Sequence, residues 1–193
     1  AMALRNTERS WGLVARVLHW SIAAIILFQL AVGVYMVNVI GDDIIARYDL
    51  TQTHKSWGFV VFALGLARIA WRWANPTPEL PEMPAWQRSA SQASHVALYA
   101  LMIAIPVTGW LMASASPFND PDAYVRIRNT VFGLFELPDP YPQGSEALTE
   151  QLARFHAGFA LALAGLLAVH VAAALKHQFV DRDGLLRRMI RGE

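Results

Sequence analysis

Four stretches of this chain are long, apolar and nearly free of charge, and each must find either lipid or a large protein interior. Val17–Ile40 runs 24 residues with His19 as its only group that titrates near neutral pH. At 1.5 Å per residue, a helix of this length crosses a hydrocarbon core of about 30 Å. Val96–Phe118 and Phe155–Leu175 hold no Asp, Glu, Lys or Arg. The second stretch is weaker: Ser56–Ala67 is uncharged, but Arg68 and Arg72 follow before Trp73. It spans only if it begins near Thr51 and the arginines snorkel. With 55% hydrophobic and 16% charged residues in 193, the chain is too apolar for one small soluble core. The expected fold is an all-α integral membrane four-helix bundle, a single membrane domain over 1–193 with approximate spans 15–40, 53–73, 94–118 and 152–179.

Charge placement orients the spans. Eleven Lys/Arg lie in the N-terminal tail, the 68–93 connection and the tail after Leu175, against five in the two other connections. Cytoplasmic segments carry the excess of positive charge, so both termini are expected in the cytoplasm. Trp11, Trp20, Trp57, Trp71 and Trp73 fall near the expected interfaces, as an aromatic belt does. The first apolar run is too long for the core of a signal peptide. Pro76, Pro78, Pro81 and Pro84 make the 68–93 connection extended. The 119–154 connection carries Pro138, Pro140 and Pro142, with short surface helices expected at Asp120–Arg128 and Ser145–Arg154. A net charge of +1 gives no reason to expect nucleic acid.

The absence of cysteine excludes disulfides, thiolate-held clusters and covalent haem attachment, so any metal must be held by His, Met or carboxylate. Six histidines remain, and ionisable residues inside membrane helices mark functional sites. His156 and His170 are fourteen residues apart, which puts both rings on one helix face about 21 Å apart along the axis. That is too far for one metal and suits two stacked cofactors. By topology His54 lies at the outer depth with His156, and His19 at the inner depth with His170. Neutral imidazoles from facing helices can grip haem iron from both sides. The bland alternative is interhelical hydrogen bonding, which for His19 alone is about as good. Zinc is less suited, because structural zinc wants four close ligands and each layer offers two or three. His95 shares the inner layer and competes as a ligand, with a propionate or quinone-site role preferred. His177 lies further toward the cytoplasm, either interfacial or part of a quinone site.

The neighbouring cations divide in the same way. Arg16 precedes His19 by three residues, and Arg68 and Arg72 share a face. Arginine binds carboxylates bidentately, so Arg16 and Arg68 are candidates for haem propionates, with snorkelling as the alternative. Lys55 and Arg154 flank the outer histidine pair and could balance propionates, attract an anionic reactant or be solvated.

The ordered motifs R-x-x-H-W at Arg16–Trp20, H-K-x-x-G at His54–Gly58, N-P-T-P at Asn75–Pro78, H-x-x-x-Y at His95–Tyr99 and P-x-x-G at Pro106–Gly109 resemble the bacterial cytochrome b561 family. The H-x13-H of the last span and the tail from His170 to Met189 extend the likeness over nearly the whole chain. More distantly the chain resembles the di-haem cytochrome b subunits of nickel–iron hydrogenases and formate dehydrogenases. The resemblance implies a bacterial inner-membrane, multi-pass cytochrome with two haem b groups ligated by His19, His54, His156 and His170, exchanging electrons with quinone. Stand-alone members of this length are similar to superoxide oxidases, oxidoreductases that take an electron from superoxide outside and reduce ubiquinone. Acidic residues among Arg126, Arg128 and Arg154 blunt any positive funnel for superoxide. Three readings follow: a di-haem electron carrier or oxidoreductase, a membrane anchor and electron conduit for a partner redox protein, and a non-redox protein whose histidines only join helices.

Overall fold

The computed structural model describes residues 3–122, 126–141 and 143–192. The chain is mostly helical. Four long helices, α1 (Leu13–Asn38), α2 (Ile44–Ala74), α3 (Ala85–Ala115) and α4 (Glu146–Lys176), are followed by a π turn at His177–Asp181 and a short α5 (Leu185–Arg191). Between α3 and α4 lie a 3-10 turn at Pro117–Asn119 and a two-stranded antiparallel hairpin, β1 (Thr130–Val131) and β2 (Phe135–Glu136), with Thr130 opposite Glu136.

Three of these helices are long and apolar enough to cross a membrane: Leu13–Asn38, Ala85–Ala115 and the continuous Glu146–Asp181. Only 6 to 11% of their most apolar stretches is buried within the protein, so those side chains face outward. Exposed Leu27, Val34, Leu161 and Val169 are typical of a surface made for lipid. The helix α2 has the length but not the composition, because Arg47, Asp49, Lys55, Arg68 and Arg72 are spread along it.

Two of the long helices, α2 and α4, start before their expected spans at a polar side chain that caps them. Asp43 accepts from the Ala46 N–H and starts α2 well before residue 53. Ser145 accepts from the Leu148 N–H and starts α4, so the expected Ser145–Arg154 surface helix is the first turns of the fourth long helix. The expected Asp120–Arg128 helix is not formed in its described part: residues 121 and 122 are a turn, 126–128 are irregular, and 123–125 lie outside the described residues, as does Pro142. There Asp120 bonds the Asp122 and Gly144 amides instead of capping a helix.

Along the chain, α1 packs on α2, α2 on α3 and α3 on α4. The core is Ile22, Val61 and Met102, one residue from each of α1, α2 and α3, with Ile25, Ile26, Leu64 and Tyr99 against it. Gly65 makes room for Met102, since a Cβ there would meet its Cε at 3.0 Å. By contrast, α4 makes no extended backbone contact with α1 or α2.

The two ends of the molecule are distinct. At one, Trp20 Nε1 and Arg16 Nη1 donate to the Met189 and Ile190 carbonyls, two of those left open by the last turn of α5. Arg188 reaches Glu79 O, and Asn6 reaches Pro76 O. The N-terminal segment, the 75–84 connection and the C-terminal helix therefore meet at one end. At the other, Lys55 donates to Asn129 Oδ1 and the Phe132 N–H donates to Ser56 Oγ, tying the 116–145 connection over α2.

Candidate functional site

Five of the six histidines gather in two layers. At the 116–145 end, the His54 and His156 rings lie 6.2 Å apart, centre to centre. At the termini end, His19 and His170 lie 6.4 Å apart, and His95 lies 5.7 Å from His170. All five rings are partly buried. The pairs His54·His156 and His19·His170 therefore join α4 to α2 and α1, whose backbones stand off from it.

The layer at the 116–145 end rests on α3. Pro106 has no N–H to donate, and Gly109, one turn further on, has no side chain. A Cβ at Gly109 would sit 3.0 Å from His156 Cε1. Through that opening His156 Nδ1 reaches the Ile105 carbonyl at 3.0 Å, with Thr108 Oγ1 at 3.3 Å. A carbonyl only accepts, so Nδ1 carries the proton and Nε2 keeps the lone pair a metal needs. Across from it, His54 Nδ1 is buried with no hydrogen-bond partner among the described residues. Gln29 steadies the same turn by donating to His54 O at 2.7 Å.

The layer at the termini end is bounded by cations held in place by the protein. Arg68 Nε donates to Tyr99 Oη and its Nη1 to Ala15 O, each at 3.2 Å, while Arg68 and Arg72 both sit over the Tyr99 ring. Arg68 is thus anchored between α1 and α3 rather than extended toward a headgroup layer. Arg16 is buried and engages the C-terminal helix. Lys55 is occupied by Asn129 and the Arg128 carbonyl. His177 stands apart from the five, bonded through Nδ1 to Asp183 with Asp181 at 3.2 Å. Gly109, Thr108, Gln29 and Tyr99 were not singled out as site residues; Pro106–Gly109 and His95–Tyr99 carry the only sequence signal for them, as motifs.

The histidine layers suit a flat, axially bound group better than a small ion. Two imidazoles on one metal, each bonded at about 2 Å, place ring centres about 6 Å apart. Both His54·His156 and His19·His170 meet that spacing. Among the described residues, the only three metal donors mutually within 4.8 Å are His177, Asp181 and Asp183, outside these layers. The unpartnered His54 nitrogen and the separation of α4 from α1 and α2 point the same way.

Apolar spanning helices that turn opposed histidines inward define a membrane protein equipped to hold haem without covalent attachment. The family model described as prokaryotic cytochrome b561 matches residues 10–192. Cytochrome b561 homolog 2 of Escherichia coli K12 is 30% identical over 98% of this chain and 95% of that protein. Cytochrome b561 homolog 1 of the same organism is 27% identical over 73% of this chain and 74% of its own length. The chain belongs to the prokaryotic cytochrome b561 family, membrane proteins of electron transfer that bind haem b.

Proposed function

We propose that this chain is a di-haem cytochrome that carries electrons across the bacterial inner membrane between a donor at the 116–145 end and a quinone at the termini end. The observation that carries this reading is the pair of ring separations, 6.2 Å for His54·His156 and 6.4 Å for His19·His170, at opposite ends of one helix face. The residues 1–193 then act as one four-helix membrane bundle, with α2 as the least apolar span. Both termini are cytoplasmic, since the end that they share with the 68–93 connection holds eleven of the sixteen Lys and Arg.

When bound, haem b supplies one-electron exchange, so no side chain need act as an acid or base there. What the protein supplies is placement and charge. His54 and His156 hold the outer group, and the Ile105 carbonyl fixes the His156 tautomer. His19 and His170 hold the inner group, with His95 beside it. Arg68, held by Tyr99, and Arg16 bring positive charge toward the inner propionates, and Lys55 toward the outer ones. Quinone reduction takes up protons, and an imidazole has one nitrogen that donates a proton and one that accepts. His95 and the His177–Asp183 pair are the groups that serve this. Superoxide is the small-molecule donor that the family likeness suggests.

The test is an oxidised and dithionite-reduced optical spectrum of purified protein with pyridine-haemochrome quantification. Two b haems per chain are expected. A second reading, a conduit for a partner redox protein, draws on the hairpin at the outer end, where Leu134 is 80% exposed beside exposed Phe132 and Phe135. Turnover of superoxide and quinone by the isolated chain would oppose it.

A further inference from the structure

The C-terminal end of α4 holds a recess that the electron-transfer reading does not use. Its volume is about 350 Å³, and it is lined by Gln178, Phe179, Arg182, Gly184 and Arg187. Three features give it a chemical character. First, the Arg182 and Arg187 side chains are exposed and have no partner among the described residues. The carboxylates nearest in sequence are already committed, Asp181 to Lys176 and Asp183 to His177. The recess therefore presents two uncompensated guanidiniums. Second, Gln178 also lines the recess and sets an uncharged amide beside the two guanidiniums. Third, the recess sits where the apolar helix Glu146–Asp181 ends, and Phe179 and Val180 beside it are 68% and 71% exposed.

An anion with an adjacent hydroxyl satisfies the first two features, and a hydrocarbon chain satisfies the third. We propose that this recess binds the headgroup of an anionic glycerophospholipid. The phosphate lies between Arg182 and Arg187, a headgroup hydroxyl accepts from the Gln178 amide, and the acyl chains lie along Phe179 and Val180. Gly184, at φ +80, turns the chain so that Arg187 comes back to the side of Arg182. The proposal needs only that α4 crosses a membrane. It is independent of haem number, and haem content read in parallel keeps the two claims separate.

The test is native mass spectrometry of the full chain titrated with phosphatidylglycerol or phosphatidylcholine, with inorganic phosphate as a competitor. The wild-type protein is expected to retain phosphatidylglycerol preferentially. An exposed arginine near an anionic headgroup contributes roughly fivefold, so R182Q/R187Q should weaken retention by roughly thirtyfold, and R187Q alone by roughly fivefold. The single variant serves if the double one fails to fold. R9Q/R88Q, which removes two exposed cations outside the recess, should retain the lipid. Equal retention in wild type and R182Q/R187Q, equal loss in R9Q/R88Q, or displacement of the lipid by millimolar phosphate would each overturn the proposal; the last would make this a free-anion site.

Discussion

His156 donates its Nδ1 proton to the Ile105 carbonyl, 3.0 Å away on α3, through an opening that exists because residue 109 is glycine. One bond sets both the tilt of the ring and which nitrogen faces a metal. A Cβ at 109 would lie 3.0 Å from His156 Cε1, so tight that the ring would have to shift, and a larger side chain would push it further. Gly109→Leu should therefore displace the ring and take the outer haem with it, lowering haem from two per chain toward one. Gly158→Ala, where a Cβ meets nothing within 4 Å, is the control and should keep both. Equal haem in both variants would remove the role given to Gly109.

The two layers are held by different helix pairs, so they should be lost separately. His156→Ala should lose the outer haem and keep much of the inner one, and His170→Ala the reverse. The check is the reduced-minus-oxidised spectrum of each folded variant. Loss of both haems together from either substitution would count against independent layers. His95→Ala, if His19 and His170 are the ligands, should retain two haems; one haem would make His95 a ligand.

Among the described residues Tyr99 is the only side-chain partner of Arg68, which it meets at 3.2 Å, and it stacks beneath both Arg68 and Arg72. Tyr99→Phe removes the acceptor and keeps the ring. It should cost about 1 kcal/mol, the usual net worth of one hydrogen bond, or somewhat more because the donor is charged. Thermal unfolding of the variant reads this, and an unchanged melting temperature would show the bond to be idle.

The 116–145 connection has an acid-sensitive joint. The N–H groups of Asp122 and then Gly144 hold the Asp120 carboxyl below its ordinary range. The folded value lies below the unfolded one. The stabilisation is thus complete above the unfolded value, about 3.9, and is lost as pH falls through the folded value. Asp120→Ala should reduce amide-exchange protection at Gly144 near neutral pH, with wild type and variant converging in strong acid. A gap that widens on acidification would contradict this.

Much of this arrangement was legible from residue order. Uncharged runs marked α1, α3 and α4, and the fourteen-residue spacing of His156 and His170 set the two depths that His54 and His19 share. The start of α2 was not legible, because Asp43 caps a polar stretch that hydropathy ignores. Nor was α5, a single short amphipathic piece that depends on Trp20 and Arg16 of α1 for its last carbonyls. The fit of His156 against Ile105 was out of reach for a physical reason: it depends on two helices meeting at one glycine, 47 residues from the histidine. The expected helix at Asp120–Arg128 failed because Asp120 found amide partners in a turn and at Gly144, contacts that a local pattern does not encode.

The most direct test is the number of b haems per folded chain, by pyridine haemochrome on purified protein together with its oxidised and reduced spectra. The account predicts two, with one lost in His156→Ala and the other in His170→Ala. A folded chain from haem-replete cells that carries no haem, or only one, would contradict it.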